Sequence, residues 1–142
     1  MCCITFLLLK GGHTVYSTFK VPIEIYKFSS CSIKKNSELA DLICQADLVI
    51  WDKAPMQHRH IYEAVNRTFQ DIWGSDAFFG GLSVVFDSDF QQILPVIEKG
   101  SRAKIVGAYI QKSHIWPSLQ ILYLHQNMRL NVDIKQERAF AQ

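Results

Sequence analysis

Short apolar runs alternate with stretches of helical periodicity along this chain. The runs at 47–51, 82–86 and 119–124 predict three β-strands, and the first two are typical of strands buried on both faces. Between them, apolar residues from Ile61 to Ile72 recur at helical spacing. Because strands that alternate with helices form parallel sheets with right-handed crossovers, we predict an α/β fold with a mainly parallel sheet flanked by helices.

Helix caps and irregular stretches divide the rest of the chain. Residues 14–19 fit one helical turn, and 21–36 hold a proline and several serines that predict an irregular connection. Ser37 and Ser101 are typical N-caps, the second for a helix over 101–111. The chain of 142 residues is long enough for one domain with a hydrophobic core.

Composition narrows the class of protein only a little. With 49% apolar and 20% charged residues, the chain is typical of a globular domain and not of a disordered one. The net charge of +2 neither supports nor excludes a nucleic-acid partner. None of the four cysteines forms a Cys-x-x-Cys pair, which argues against a zinc site or a disulfide framework and favours an intracellular protein. No targeting segment or membrane span is evident in the sequence.

Polar side chains follow each predicted strand. Asp52 follows the first, Asp87, Asp89 and Gln92 follow the second, and Arg129 lies just after the third. Because ligands of open α/β sheets bind at the carboxyl ends of the strands, we expect these side chains to cluster at one edge. There Asp52 would coordinate a nucleotide-bound magnesium ion, Gln92 would sense a terminal phosphate, and Arg129 would stabilise developing phosphate charge. The ordinary alternative is a helix-capping aspartate with a solvated glutamine and a solvated arginine.

The residue after Asp52 does not fit a working nucleotide hydrolase. Such enzymes usually carry an acidic residue there to prepare the attacking water, whereas this chain carries Lys53. The 142 residues also contain no G-x-x-x-x-G-K-[S/T] loop, the backbone cradle for the β- and γ-phosphates. This pattern indicates a nucleotide-hydrolysing ancestry with impaired catalysis.

Four segments resemble the motifs of one helicase family. Residues 50–56 read I-W-D-K-A-P-M, where the family has I-W-D-E-A-P-M, and 86–95 read F-D-S-D-F-Q-Q-I-L-P, where it has F-G-G-D-F-R-Q-I-L-P. Residues 127–130 read N-M-R-L as in the family, and 11–19 read G-G-H-T-V-Y-S-T-F, similar to G-G-R-T-A-H-S-R-F. In these motifs the chain resembles the petite integration frequency type DNA helicases, which include the helicase domain of Helitron transposons.

The resemblance implies ATP-dependent 5′-to-3′ DNA unwinding by two RecA-like domains of the P-loop NTPase class. Asp52 would coordinate the Mg²⁺ that accompanies ATP, with Asp89 and Gln92 at the nucleotide. Gln92 would read the γ-phosphate, and Arg129 would be the arginine that this domain places at the phosphate. Lys53 stands where the family has its catalytic glutamate.

The resemblance also implies single-stranded DNA as a partner, with Thr14 and Ser17 near its path. Family members act in DNA repair, recombination and telomere maintenance, which implies the nucleus, with the mitochondrion as the alternative. We therefore expect 1–142 to be part of the first motor domain without its Walker A segment, as in a gene fragment or a decayed transposon copy. The alternatives are a catalytically dead remnant that binds DNA or protein, and a relic that does not fold stably.

Overall fold

The computed structural model describes residues 13–87 and 95–125. Within these ranges it contains a two-stranded sheet, four α-helices and four short 3-10 turns. In chain order, the helices and strands are α1 (Val15–Thr18), α2 (Glu38–Cys44), β1 (Leu48–Trp51), α3 (Arg59–Trp73), β2 (Ser83–Phe86) and α4 (Arg102–Gly107). The 3-10 turns span Ala54–Met56, Phe78–Gly81, Ile110–Lys112 and Trp116–Ser118. No helix in these ranges has the length and apolarity needed to cross a membrane.

The two strands are parallel neighbours, as predicted. Leu48 pairs with Ser83 at one end of the register, and Trp51 pairs with Phe86 at the other. Helix α3 lies between them in the chain and supplies the crossover that two parallel strands require. The predicted α/β fold with a parallel sheet flanked by helices is therefore confirmed.

The third predicted strand is wrong for the described residues. Residues 119–124 form no strand, and the Leu119 N–H donates to the Trp116 carbonyl at the end of a 3-10 turn. Side chains 121–124 are exposed, Leu124 to 98%. An apolar run forms a strand only where the edge of a neighbouring strand pairs with it. Among the described residues, neither β1 nor β2 pairs with this run.

The sheet is covered on one face, which corrects the prediction of strands buried on both faces. Val49, Trp51, Val84 and Phe86 point to the core, and Trp51 is fully buried. On the other face Ile50 is 65% exposed, and Leu48 and Val85 are also exposed. The sequence does not distinguish a strand covered on both faces from one covered on a single face. A continuous apolar run places apolar side chains on both faces and does not indicate which face is covered.

Helix α3 holds the core together. Its buried residues include Ile61, Tyr62, Val65, Phe69 and Ile72, the positions of the predicted helical periodicity. Gly74 ends the helix at φ 61°, the left-handed conformation that glycine adopts without a steric penalty. The covered face of the sheet and helix α3 thus enclose one aromatic core, in which the rings of Phe19, Trp51, Tyr62, Phe69, Phe79 and Phe86 contact one another.

The turn that leads into β2 is fixed against α3. The Asn66 side-chain oxygen accepts a hydrogen bond from the Phe79 backbone N–H at 2.7 Å. Gly80 follows at φ 67°, and a Cβ there would lie 2.7 Å from the Trp73 ring and 2.9 Å from the Phe69 carbonyl oxygen. Only glycine fits this close approach, which sets where β2 begins beside β1.

The segment 21–36 contains turns and bends but no helix or strand. Its base is anchored: the Ser32 N–H donates to the Lys20 carbonyl, and the Cys31 N–H donates to the Thr68 hydroxyl of α3. The predicted N-cap at Ser37 is confirmed, because its hydroxyl accepts from the Ala40 N–H. The predicted helix over 101–111 is shorter than expected, since α4 ends at Gly107 and a separate 3-10 turn follows.

Candidate functional site

An aspartate follows each of the paired ends of β1 and β2. Asp52 follows Trp51 and Asp87 follows Phe86, and those two preceding residues are partners in the register. The Asp87 N–H donates to the Trp51 carbonyl at 2.9 Å, and the Asp87 carbonyl accepts from the Ala54 N–H at 3.0 Å. These two bonds hold the strand ends side by side, so the structure brings both aspartates to the carboxyl edge of the sheet, where ligands of α/β folds bind.

The donor set at this edge suits magnesium held together with a nucleotide. Mg²⁺ is commonly bound through one or two carboxylates, with water and substrate phosphates supplying the remaining ligands. Asp52 and Asp87 provide such carboxylates. In the two described ranges, no group of three or more His, Cys, Asp or Glu side chains could hold a metal ion by itself. The chemistry of the residues therefore fits an ion that arrives with phosphates and not a site closed by protein alone.

Lys53 occupies a strained position next to Asp52. Its backbone lies in the left-handed region at φ 53° and ψ 42°, where residues with a Cβ carry a cost of about 1 kcal/mol or more. Its carbonyl accepts from the Met56 N–H at 3.2 Å and so opens the 3-10 turn Ala54–Met56. The turn carries the chain from the end of β1 towards α3. A cationic side chain there can face phosphate oxygens but cannot accept a proton from water.

Tyr62 holds this turn in place, a role that the sequence analysis did not foresee. The ring is fully buried and lies 4.8 Å from the Trp51 ring, centre to centre. The hydroxyl donates a hydrogen bond to the Ala54 carbonyl oxygen. Burial raises the pKa of the Tyr62 phenol, which therefore stays protonated as a donor. The signal in the sequence was only a tyrosine at a core position of a helix, where a buried hydroxyl needs a partner.

A polar cluster ties the start of α3 to the segment after α4. The buried Glu63 carboxylate accepts from His60 Nδ1 at 2.8 Å and from the Ser113 hydroxyl at 2.9 Å, and His114 Nδ1 lies 3.7 Å away. Burial by itself raises the pKa of Glu63, but the hydrogen bonds from His60 and Ser113, with nearby positive charge, lower it overall. The Arg59 N–H also donates to a carbonyl beyond α4. This cluster is therefore a structural clamp between the start of α3 and the segment after α4.

We expect this clamp to weaken in acid. Because the pKa of Glu63 is lower in the folded chain than its ordinary value of 4.5, the unfolded chain binds more protons as pH falls below about that value, and stability is lost there. Burial is the main cause that lowers the pKa of His58. Protonation of this histidine therefore also reduces the stability of the folded chain as pH falls below its ordinary value of 6.5. Glu63→Gln should lower the free energy of unfolding near pH 7 by about 1–3 kcal/mol, because it breaks a charged, buried hydrogen-bond pair.

Urea unfolding near pH 7 and near pH 4, followed by tryptophan fluorescence, measures this effect. The Glu63→Gln variant should lose less stability between the two pH values than the unaltered chain does. Glu38→Gln is the matched control, since it removes a carboxylate from the exposed first turn of α2. An equal pH dependence in the unaltered and Glu63→Gln chains would contradict the assignment.

Thr14 and Ser17 lie on the surface and cap α1. The Thr14 hydroxyl oxygen accepts from the Ser17 N–H at 3.1 Å, and the Ser17 hydroxyl donates to the Thr14 carbonyl at 2.9 Å. The helix is joined to the strand ends through the core, because the Phe19 ring lies 5.9 Å from the Trp51 ring, centre to centre. Two hydroxyls are thus presented at the surface by an element that packs beside β1.

The remaining predicted site residues lie outside the described ranges. Asp89 and Gln92 fall within 88–94, and Arg129 falls within 126–142. Their convergence with Asp52 stays a prediction. The structure therefore places Asp52 and Asp87 after paired strand ends, with Lys53 directly after Asp52 in the chain, and it presents Thr14 and Ser17 on α1.

The sequence matches the family model of the PIF1-like helicases over residues 1–141. It is 25% identical over 121 residues to an ATP-dependent DNA helicase Pif1 from Psychrobacter sp. (strain PRwf-1), a match that covers 84% of this chain and 18% of that protein.

Solved structures of helicases of the same name share the fold. Bacteroides Pif1 bound to single-stranded DNA matches with a TM-score of 0.64 and 26% identity, over 74% of this chain and 26% of that one. Bacteroides Pif1 in complex with ADP-AlF3 and single-stranded DNA matches with a TM-score of 0.64 and 25% identity over the same shares of the two chains. Candida albicans Pif1 matches in fold, with a TM-score of 0.52 and 21% identity over 79% of this chain and 21% of that one.

These matches agree with the α/β fold of the described residues. The chain spans 18% of the Psychrobacter protein and 26% of the Bacteroides chain. Its sheet and flanking helices correspond to part of a RecA-like helicase domain. With a family model that matches almost every residue, the chain belongs to the PIF1-like helicase family.

Proposed function

We propose that this chain is the part of an ATP-dependent 5′-to-3′ DNA helicase that holds magnesium with the nucleotide and contacts single-stranded DNA. The observation that carries the proposal is the in-register end of β1 and β2, which brings Asp52 and Asp87 to the ligand-binding edge of the sheet. Asp52 would hold the magnesium ion. Asp87 adds a second carboxylate where the family motif has glycine.

Three further residues complete the proposed nucleotide site. Gln92 would contact the γ-phosphate, Asp89 would lie beside it, and Arg129 would stabilise negative charge as the phosphoryl group is transferred. Bound magnesium would supply charge neutralisation at the phosphates. The residues of this chain would position the nucleotide and shield its charge. Hydrolysis also requires a base for water, and Lys53 cannot provide one.

The alternative function is that of a DNA- or protein-binding remnant without catalysis, of the kind that a decayed Helitron helicase would leave. The observation that favours it is Lys53, because a cation beside Asp52 favours holding phosphate over activating water. From the biology of the family, we also propose roles in DNA repair, recombination and telomere maintenance. The proposed location is the nucleus, with the mitochondrion as the alternative.

Binding of single-stranded DNA tests the proposal. We expect weak binding by the 142-residue chain that fades with salt, because phosphate contacts release counterions. Each phosphate contact contributes about −0.7 to the slope of log affinity against log salt concentration for single strands. Thr14→Ala with Ser17→Ala should weaken binding by removing two surface hydroxyls from the proposed DNA path. The measurement is fluorescence anisotropy of a labelled oligonucleotide between about 50 and about 200 mM salt.

Ser101→Ala is the matched control for these variants. It removes the hydroxyl that caps α4, where it accepts from the Lys104 N–H, so it reproduces the loss of a helix cap away from the proposed DNA path. We expect it to bind DNA as the unaltered chain does. No binding at low salt would refute the proposal, and tight binding that resists salt would instead favour a dedicated binding module.

A further inference from the structure

Residues 20–35 form a closed surface loop, here called the lysine–aromatic loop. Its ends meet where the Ser32 N–H donates to the Lys20 carbonyl at 3.0 Å. Helix α3 fixes one side, since the Arg67 guanidinium donates to the Ser29 carbonyl and the Thr68 hydroxyl accepts from the loop backbone. At the base of the loop, Val21 and Cys31 are buried in the core. The backbone of this loop is therefore anchored while its tip faces solvent.

The tip of the loop carries large apolar side chains that are exposed to solvent. Phe28 is 80% exposed, Tyr26 is 65% exposed, and Ile23 is 95% exposed. A turn holds the two aromatic residues in fixed positions, because the Tyr26 N–H donates to the Ser29 hydroxyl and the Ser29 N–H donates to the Tyr26 carbonyl. Rings displayed on an anchored turn lose little conformational entropy on binding a flat partner, so they suit a stacking platform.

The same loop concentrates positive charge. It holds four lysines and one glutamate, a formal charge of +3, whereas the whole chain carries only +2. The lysines are exposed: Lys20, Lys27, Lys34 and Lys35. The Lys27 ammonium lies 5.3 Å from the centre of the Phe28 ring, so cation and ring are presented together. The only acid, Glu24, accepts a hydrogen bond from the Tyr26 hydroxyl at 2.9 Å.

We propose that the lysine–aromatic loop binds single-stranded nucleic acid, with Tyr26 and Phe28 stacking on bases and the lysines contacting phosphates. Exposed rings interleaved with cations match a strand that offers flat bases and a charged backbone. A protein partner would account for the rings but not for the local excess of lysine. The loop follows Thr14 and Ser17 directly in the chain. The inference rests on the proposed function and adds a second contact with the same kind of strand.

The test uses the 142-residue chain and a labelled oligothymidylate of about 12 nucleotides. Tyr26→Ala with Phe28→Ala should weaken binding about fivefold or more for each ring, the fold-change expected for one lost stacked base. The dependence of affinity on salt should stay unchanged in this variant. Lys27→Gln with Lys34→Gln should instead reduce the slope of that dependence by about 0.7 for each lysine that contacts a phosphate.

Two controls separate stacking from loss of structure. Tyr26→Phe keeps the ring and should bind as the unaltered chain does. Leu42→Ala removes an equally exposed apolar side chain that belongs to α2 and not to the loop, and it should also leave binding unchanged. An abasic oligonucleotide of the same length should bind the unaltered chain and the double-alanine variant with equal affinity, because it offers phosphates without bases.

Each remaining outcome decides the question. If the unaltered chain binds oligothymidylate and the ring and lysine variants bind equally well, the loop proposal is refuted while the proposed function stands. Loss of affinity in the ring variant that persists with the abasic strand would also refute stacking. If the unaltered chain binds no oligonucleotide at low salt, the proposed function fails and this inference fails with it.

Discussion

The 142-residue chain should release no phosphate from ATP, and its Lys53→Glu variant should be equally inactive. These 142 residues carry Lys53 directly after Asp52 and contain no G-x-x-x-x-G-K-[S/T] loop. A positioned general base contributes about 10²- to 10⁴-fold to rate, and Lys53 cannot accept a proton from water. The phosphate loop supplies the backbone donors and the lysine that orient ATP, so without it little substrate is positioned for any base to act on. Restoring the glutamate supplies the base but not the phosphate loop.

A phosphate-release assay with single-stranded DNA present measures this. The comparison needs two longer polypeptides in which a family phosphate loop and the remaining parts of both RecA-like domains are added to this chain. The polypeptide with Lys53→Glu should turn over ATP, and its partner that retains Lys53 should be slower by about 10²- to 10⁴-fold. The expectation would be overturned if the unaltered 142-residue chain hydrolysed ATP, DNA stimulated that hydrolysis, and Asp52→Ala abolished it.

Phe69→Ala should destabilise the fold more than any other single change discussed here. The Phe69 side chain is 1% exposed, and its ring contacts those of Phe19, Trp73 and Phe79. Truncating a buried phenylalanine costs about 3–5 kcal/mol, because transfer free energy is lost and the cavity is only partly refilled. Since domains of this size are stable by about 5–15 kcal/mol, the variant should be partly unfolded at moderate temperature.

Phe28→Ala is the matched control for this prediction. It removes the same side chain from a position that is exposed, so the free energy of unfolding should change by less than about 0.5 kcal/mol. Urea denaturation followed by circular dichroism measures both variants. Equal stability of Phe69→Ala and the unaltered chain would show that the aromatic core does not hold the fold together.

The elements that the sequence predicted well are those with local signals. Helix α3 follows from apolar residues at helical spacing, because that signal lies within the helix itself. The strands β1 and β2 are short apolar runs that each end in an aspartate, and the crossover helix between them makes a parallel pair the expected arrangement. The edge with Asp52 and Asp87 then follows from strand direction alone.

The features that the sequence did not predict depend on contacts between distant parts of the chain. Nothing within 119–124 says whether a strand edge is available to pair with it. The exposure of Ile50 likewise depends on what lies over the second face of the sheet. The bond from the Tyr62 hydroxyl to the Ala54 carbonyl and the clamp around Glu63 join residues whose side chains meet only after α3 packs. Single residue types at core positions do not specify such partners.

The left-handed backbone at Lys53 has a consequence for how this position can change over generations. Lysine and glutamate both carry a Cβ and an unbranched stem, so either residue meets the same backbone cost at φ 53°. Their codons differ only in the first base. A single point mutation therefore exchanges the two residues with no change in this backbone cost, and selection on the chemistry of the proposed nucleotide site would decide which of them is kept.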